Sequence, residues 1–252
     1  MLSKNKIKSI TALHQKKFRN QENLFIVEGE KVVNDLLNSG WKIQTIVGTK
    51  DFIVKNNFND DIEVIEVSND DLSKISTLTT AQSVLAIAEM PNQDYEIDYS
   101  KGLKLVLDNI KDPGNFGALL RIADWFGINE IICSTDTVDC FNPKVVMASM
   151  GSLFRMKIVY DDLSSVLQTN LEKSSLPVYG TLMNGKNIFS EKLIQDAFIV
   201  LGNESNGISN EVMNFITNSI HIPSVSISSN GTPDSLNVAV AAGIVCAQFR
   251  NQ

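Results

Sequence analysis

From Lys104 onward the chain alternates short apolar runs with helical ones, and that alternation most narrows what it can fold into. The runs are KLVLDNI, EIICST, RMKIVY, LPVYGTLM, AFIVLGNE and SIHIPS. They are apolar along most of their length rather than at every second position, so both faces of each strand must be covered. Between them lie helical stretches. NFGALLRIADWFG places Leu119, Leu120, Ile122, Ala123 and Phe126 on or near one face. KVVMASMGSLF follows the second run, and SLNVAVAAGIVCAQF closes the chain as a long apolar helix. Strand and helix in alternation predict a mostly parallel sheet with helices on both sides.

The first part of the chain reads as a separate, smaller α/β module. LFIVEG is a short strand. EKVVNDLLNSG carries Val32, Val33, Leu36 and Leu37 at helical spacing and stops at Gly40. WKIQTIVGT, IEVIEVS and SVLAIAEM read as further strands, and DDLSKISTL as a short helix. Pro91 to Gly102 is polar and without helical period, which marks a linker. The expected domains are residues 1–94 and 100–252.

Several function classes are excluded at this stage. A hydrophobic content of 43% with 20% charged residues allows a full core. No run approaches the roughly 20 apolar residues that span a membrane. The N-terminus is basic but lacks the continuous apolar core of a signal peptide. Cys133, Cys140 and Cys246 are too few and too scattered for a disulfide framework or zinc site, and the two histidines, His14 and His221, lie far apart. No metal is expected, and a reducing cytoplasm is the simplest setting.

A net charge of −7 argues at first against a nucleic-acid partner. Its distribution argues otherwise. Residues 1–20 hold Lys4, Lys6, Lys8, Lys16, Lys17 and Arg19 and no acid. The remainder, with 16 basic and 29 acidic residues, is net −13. A local cluster suffices to displace counterions from phosphates. The plainer reading is a solvated helix at the chain start.

Three segments place polar residues and glycines where a core has no use for them. In Asp108-Asn109-Ile110-Lys111-Asp112-Pro113-Gly114-Asn115-Phe116-Gly117 a strand ends in an Asp-Pro-Gly turn and a helix begins near Asn115. Asn115 could simply cap that helix, and Arg121, six residues on, could be a surface ion-pair residue. The spacing Gly114-x-x-Gly117 is not the dinucleotide fingerprint, so a nicotinamide oxidoreductase is a weak reading. In Leu201-Gly202-Asn203-Glu204-Ser205-Asn206-Gly207 a buried strand runs into a glycine-bounded loop. Such loops at the carboxyl ends of parallel strands bind ligands. The third segment, Ile222-Pro223 followed by a polar loop and Ser235-Leu236-Asn237, opens the last helix. Ser235 reads as its cap, and Asn237 as an amide just inside an otherwise apolar helix, where it needs partners.

In this order and spacing the three segments closely resemble the signature motifs of the SpoU/TrmH family of RNA ribose 2′-O-methyltransferases. The resemblance runs from about Lys104 to the C-terminus. It rests on Asn115, Gly117 and Arg121; on Leu201, Gly202, Glu204 and Gly207; and on Ile222, Pro223, Ser235, Leu236 and Asn237. Residues 16–19 and 24–29 look like the substrate-binding domain often fused to this family. The connection SVSISSNGTPD is longer than the family's usual Met- and Gly-containing one.

The resemblance implies an α/β chain: a trefoil-knotted, mostly parallel catalytic sheet preceded by a small RNA-binding domain, working as a homodimer. It implies S-adenosylmethionine as cofactor, held largely by backbone groups near Leu201, Gly202, Ile222, Pro223 and Leu236. It implies a catalytic set of Arg121, Asn115, Glu204, Ser235 and Asn237. Arg121 would act either as general base or, since a guanidinium normally stays protonated, as stabiliser of a developing alkoxide. Lys16, Lys17 and Arg19 would bind structured RNA, with rRNA favoured over tRNA by the fused N-terminal domain. The intact catalytic set argues against a non-catalytic RNA-binding homologue.

Overall fold

The computed structural model describes residues 2–92, 95–225 and 235–251. Residues 93 and 94 of the expected linker and residues 226–234 of the long polar connection lie outside the described residues. Up to residue 92 the order is α1 (Lys4–Ala12), α2 (Lys16–Glu22), β1 (Leu24–Glu28), α3 (Glu30–Leu37), β2 (Ile43–Gly48), α4 (Lys50–Lys55), β3 (Glu63–Glu66), α5 (Asn69–Ser73) and β4 (Val84–Glu89). Then follow β5 (Leu103–Leu107), α6 (Pro113–Trp125), β6 (Glu130–Ser134), α7 (Pro143–Ser149), a 3-10 turn (Ser152–Arg155), β7 (Lys157–Asp161) and α8 (Leu163–Lys173). The chain ends with β8 (Val178–Asn187), β9 (Ala197–Leu201), α9 (Asn210–Met213), β10 (Asn218–His221) and α10 (Val238–Arg250).

The chain forms two compact units, and their composition differs from the expected division at one place. The first unit is Met1–Asn92 together with Asp139–Arg155; the second is Gln93–Val138 with Met156–Gln252. The segment carrying α7 therefore packs with the N-terminal residues, although it is inserted between two strands of the second sheet. Sequence order alone assigns it to the second domain. Its apolar and aromatic side chains find their partners in the first.

In the first unit a four-stranded mixed sheet has the order β1-β4-β2-β3, with only β2 and β3 parallel. Ile10 and Leu13 of the first helical segment pack with Ile26, Val47, Leu72, Ile75 and Leu85. The added segment contributes Phe141, whose ring lies 4.9 Å from Phe25, and Phe154, whose ring lies 5.2 Å from Trp41. Beside them Arg19 is only 1% exposed. Its guanidinium donates to the carbonyls of Leu13 and His14, each at 3.0 Å, and pairs with the Asp139 carboxylate.

That burial corrects one reading of the sequence. Arg19 is not part of an RNA-binding surface: its charge is neutralised inside the unit, and no phosphate can reach it. The helix made this invisible, since Arg19, two positions after the exposed Lys17, faces inward. Lys6 is also engaged, at 2.6 Å from Glu63, and holds that carboxyl below its usual range. Lys4, Lys8, Lys16 and Lys17 are the exposed members of the basic run.

The second unit holds a six-stranded, all-parallel sheet of order β10-β8-β9-β5-β6-β7. Every residue of β5 and β9 is buried, as strands covered on both faces require. The edge strand β7 has its two end residues, Lys157 and Asp161, exposed. Strand β8 pairs with β10 in two stretches, Tyr179–Gly180 and Lys186–Asn187, with an excursion between them. Gly185 is required there, because a Cβ would collide with the Ile220 backbone.

Candidate active site

Strand order places the site. The central strand β5 lies between β9 and β6, and the chain leaves it towards β6 and β7 before returning on the other side. The loops after β5 and β9 therefore diverge at the carboxyl edge of the sheet, which opens a crevice suited to ligands. The two strands end level, Leu107 opposite Leu201, and the amide of Asp108 donates to the Leu201 carbonyl at 2.9 Å.

The β5–α6 loop begins the helix earlier than its sequence suggests. Asp112, not Asn115, is the cap of α6: its carboxylate accepts from the Asn115 amide at 2.8 Å, and Pro113 occupies the first turn. An Asp cap followed by Pro is a favourable start, worth about 1 kcal/mol over an uncapped end. The consequence is chemical. The half-buried side chain of Asn115 is released from helix duty and turns to tertiary partners.

The last helix differs in the same way. Asn237, not Ser235, caps α10, and its Oδ1 accepts from the amides of Ala239 (3.0 Å) and Val240 (3.4 Å). Asn237 therefore lies before the helix rather than inside it. With its oxygen committed, its Nδ2 donates to Asn115 Oδ1 at 2.9 Å. Asn115 Nδ2 donates in turn to Glu204 Oε1 at 2.7 Å. Two amides thus relay donation toward one carboxylate, from three segments far apart in sequence. Each amide is held in one orientation, because its oxygen and its nitrogen face partners of opposite kind.

Glu204 stands at the tip of a tight loop after β9. Asn203 and Gly207 exchange both backbone hydrogen bonds, each 2.9 Å. A Cβ on Gly202 would run into the Gly207 backbone, so the turn closes only with glycine there. Gly207 itself has φ +69°, in the left-handed region.

Of the residues singled out from sequence, Asn115, Glu204 and Asn237 are brought together. Arg121 is exposed on α6 and makes no hydrogen bond or ion pair among the described residues. Ser235 is exposed ahead of α10. Leu201 is buried at the end of β9; Gly202, Ile222 and Pro223 are half-buried; Leu236 is 49% exposed. The sequence reading missed Asp108, Asn109, Asp112 and Asn203, whose side-chain or backbone groups bind the two loops together. Their signal was a run of Asp and Asn at strand ends, where such side chains serve as caps and turn anchors. Burial pushes the Cys246 thiol in α10 up to about 12, so it does not supply a thiolate at neutral pH. No group of three or more His, Cys, Asp or Glu among the described residues is placed to hold a metal.

An all-parallel sheet with a glycine-bounded loop and a carboxylate-ended amide relay at its switch point defines a ligand-binding α/β domain, here joined to a smaller mixed-sheet unit. The chain belongs to the SpoU rRNA Methylase family, whose model matches residues 102–247. Residues 4–86 match a second model, the MRM3-like substrate binding domain. Among curated relatives, the 23S rRNA (guanosine(2553)-2'-O)-methyltransferase RlmP of Bacillus subtilis is 28% identical over 97% of this chain and 96% of its own. A putative RNA methyltransferase of the TrmH family from Porphyromonas gingivalis is 37% identical, with a TM-score of 0.89 over 100% of this chain and 99% of that one. An AdoMet-bound rRNA methyltransferase from Sinorhizobium meliloti is 30% identical, with a TM-score of 0.85 over 100% and 97% of the two chains.

Proposed function

We propose that this protein transfers a methyl group from S-adenosylmethionine to a ribose 2′-hydroxyl of ribosomal RNA. The observation that carries the reading is the relay from Asn237 through Asn115 to Glu204 at the crevice beside β5 and β9. Membership of the family and the rRNA substrate of the Bacillus subtilis relative support rRNA as the target.

The residues assigned to the cofactor fit it. Leu201 and Gly202 end β9, Ile222 and Pro223 follow β10, and Leu236 precedes α10. They offer apolar side chains and backbone groups, which suit an adenine face and edge. Bound S-adenosylmethionine supplies an electrophilic methyl group on a sulfonium. The chain's own residues then have to place the ribose oxygen in line and accept its developing charge. Glu204, fixed by Asn115, orients the ribose; Ser235 and Asn237 complete that side of the site. Arg121 stabilises the alkoxide that develops as the hydroxyl proton passes to solvent water, and grips the neighbouring phosphate; S-adenosylhomocysteine is the leaving group. Positioning of this kind is worth roughly 7–11 kcal/mol in favourable intramolecular cases.

Lys16 and Lys17, both exposed, supply phosphate contacts from the first unit. A homodimer is part of the same reading: Val240 on α10 and Trp125 on α6 are 52% and 85% exposed, apolar surface that a second copy would cover. The same reading places the protein in a reducing cytoplasm, with Cys133, Cys140 and Cys246 all buried.

The test is transfer of radiolabelled methyl groups to total RNA from a strain deleted for the gene, followed by ribose-methylation mapping. A single labelled rRNA position is the expected result; no transfer, or transfer to tRNA alone, overturns the assignment. S-adenosylhomocysteine should raise the thermal midpoint and NAD should not.

A further inference from the structure

We propose that Asn203 is a positioning residue for the methyl transfer: it sets Glu204 against Asn115 by tying the loop after β9 to the loop after β5. The proposal rests on the catalytic reading of Glu204 given above.

The hydrogen bonds of Asn203 are all committed to that purpose. Its Oδ1 accepts from the amides of Ser205 (2.9 Å) and Asn206 (3.1 Å), which closes the turn around Glu204. Its Nδ2 donates to the carbonyl of Asn109 at 2.8 Å. Its backbone exchanges two bonds with Gly207. Glu204 is exposed, and its one hydrogen bond among the described residues is to Asn115. Its place is thus dictated by the neighbour that anchors the turn.

The anchor is itself held. Asn109 has φ +60°, a left-handed conformation that asparagine adopts more readily than other residues with a side chain. Its amide donates to Ser134 Oγ at 2.9 Å, and Ser134 Oγ bonds Thr137 Oγ1 at 3.0 Å. At the far end of the same loop the Ser209 amide donates to the Asp108 carboxylate at 2.7 Å. Two consecutive residues after β5 therefore grip both ends of the loop that carries Glu204. Asn115 rides on the same β5–α6 connection. The Asn203–Asn109 bond thus fixes the distance across which Glu204 and Asn115 meet.

The discriminating substitution is Asn203→Asp. It keeps the oxygen that closes the turn and replaces the donor facing the Asn109 carbonyl with a second oxygen. Asn203→Ser serves as an independent variant, since its hydroxyl can close the turn but is too short to reach Asn109. Single-turnover methyl transfer to unmodified rRNA is measured for these, for Glu204→Gln, and for the double variant Asn203→Asp/Glu204→Gln. Melting midpoint and RNA affinity are measured alongside. Both Asn203 variants are expected to lose about tenfold to a hundredfold in rate, the scale of an ångström's misplacement, with RNA affinity unchanged. The double variant is expected to be no slower than Glu204→Gln alone, because Asn203 acts only through Glu204. A wild-type rate in a folded Asn203→Asp or Asn203→Ser overturns the proposal, as does a double variant in which the two effects multiply. A wild-type rate in Glu204→Gln overturns instead the catalytic reading on which it stands.

Discussion

Asn115 donates its side-chain amide to Glu204 at 2.7 Å, across a sequence separation of 89 residues. The same amide accepts from Asn237 at 2.9 Å, so one side chain joins the loop after β9 to the start of the last helix.

Asn115→Asp keeps the shape but turns the donor toward Glu204 into a second carboxylate oxygen. Two adjacent carboxylates repel, and the Glu204 side chain swings away or takes up a proton. Methyl transfer should fall about a hundredfold, the usual scale for removing one oriented hydrogen bond from a reacting site. The melting midpoint should change by only a few degrees, since α6 is capped by Asp112 instead. Full activity in this variant, assayed with saturating cofactor, rules out a role for the relay.

Arg121→Ala should abolish transfer and leave S-adenosylmethionine binding in place. Arg121 is exposed, has no partner among the described residues, and lies on α6 rather than on the loops assigned to the cofactor. Its removal therefore costs little stability. Titration calorimetry with S-adenosylhomocysteine, set beside the activity assay, separates the two effects. Wild-type turnover contradicts the assignment.

Asp139→Ala should destabilise the first unit by about 3–5 kcal/mol, because it leaves the Arg19 charge buried without its counter-ion. A fragment of residues 1–92 should fail to fold for the same reason, lacking also Phe141 and Phe154. Denaturant unfolding followed by tryptophan emission reports on Trp41, which packs near both rings. A fragment with native dispersion in its NMR spectrum contradicts the claim.

Replacing Lys16 and Lys17 together by Ala should flatten the salt dependence of RNA binding by a little under two units, roughly 0.7–0.9 for each phosphate that is no longer neutralised. Both residues are exposed at the start of α2, whereas Arg19 on the same helix is not. The triple replacement including Arg19 should lower stability without lowering the slope further. An unchanged slope in the double variant means that RNA is gripped elsewhere on the protein.

The alternation of apolar runs with helical ones was enough to predict the parallel sheet, because strands buried on both faces must be apolar along most of their length, as β9 is throughout and β5 is except at Lys104. The order of Asn, Gly and Arg in one segment, Gly and Glu in a second and Ser and Asn in a third was enough to identify the family. Polar and glycine residues at fixed spacing have no use in a core, so their pattern survives in one dimension. The partnerships were not legible. Whether Asn115 or Asp112 caps α6, and whether Asn237 lies inside α10 or before it, depends on which side chain reaches the free amides first. Only the folded backbone decides that. Arg19 reads as one more charge in a basic run until α2 turns it inward onto Asp139, 120 residues away. Local sequence specifies which segments are strands and helices. Long-range packing alone specifies which polar atoms meet, because each hydrogen bond needs both partners within about 3 Å and suitably aligned.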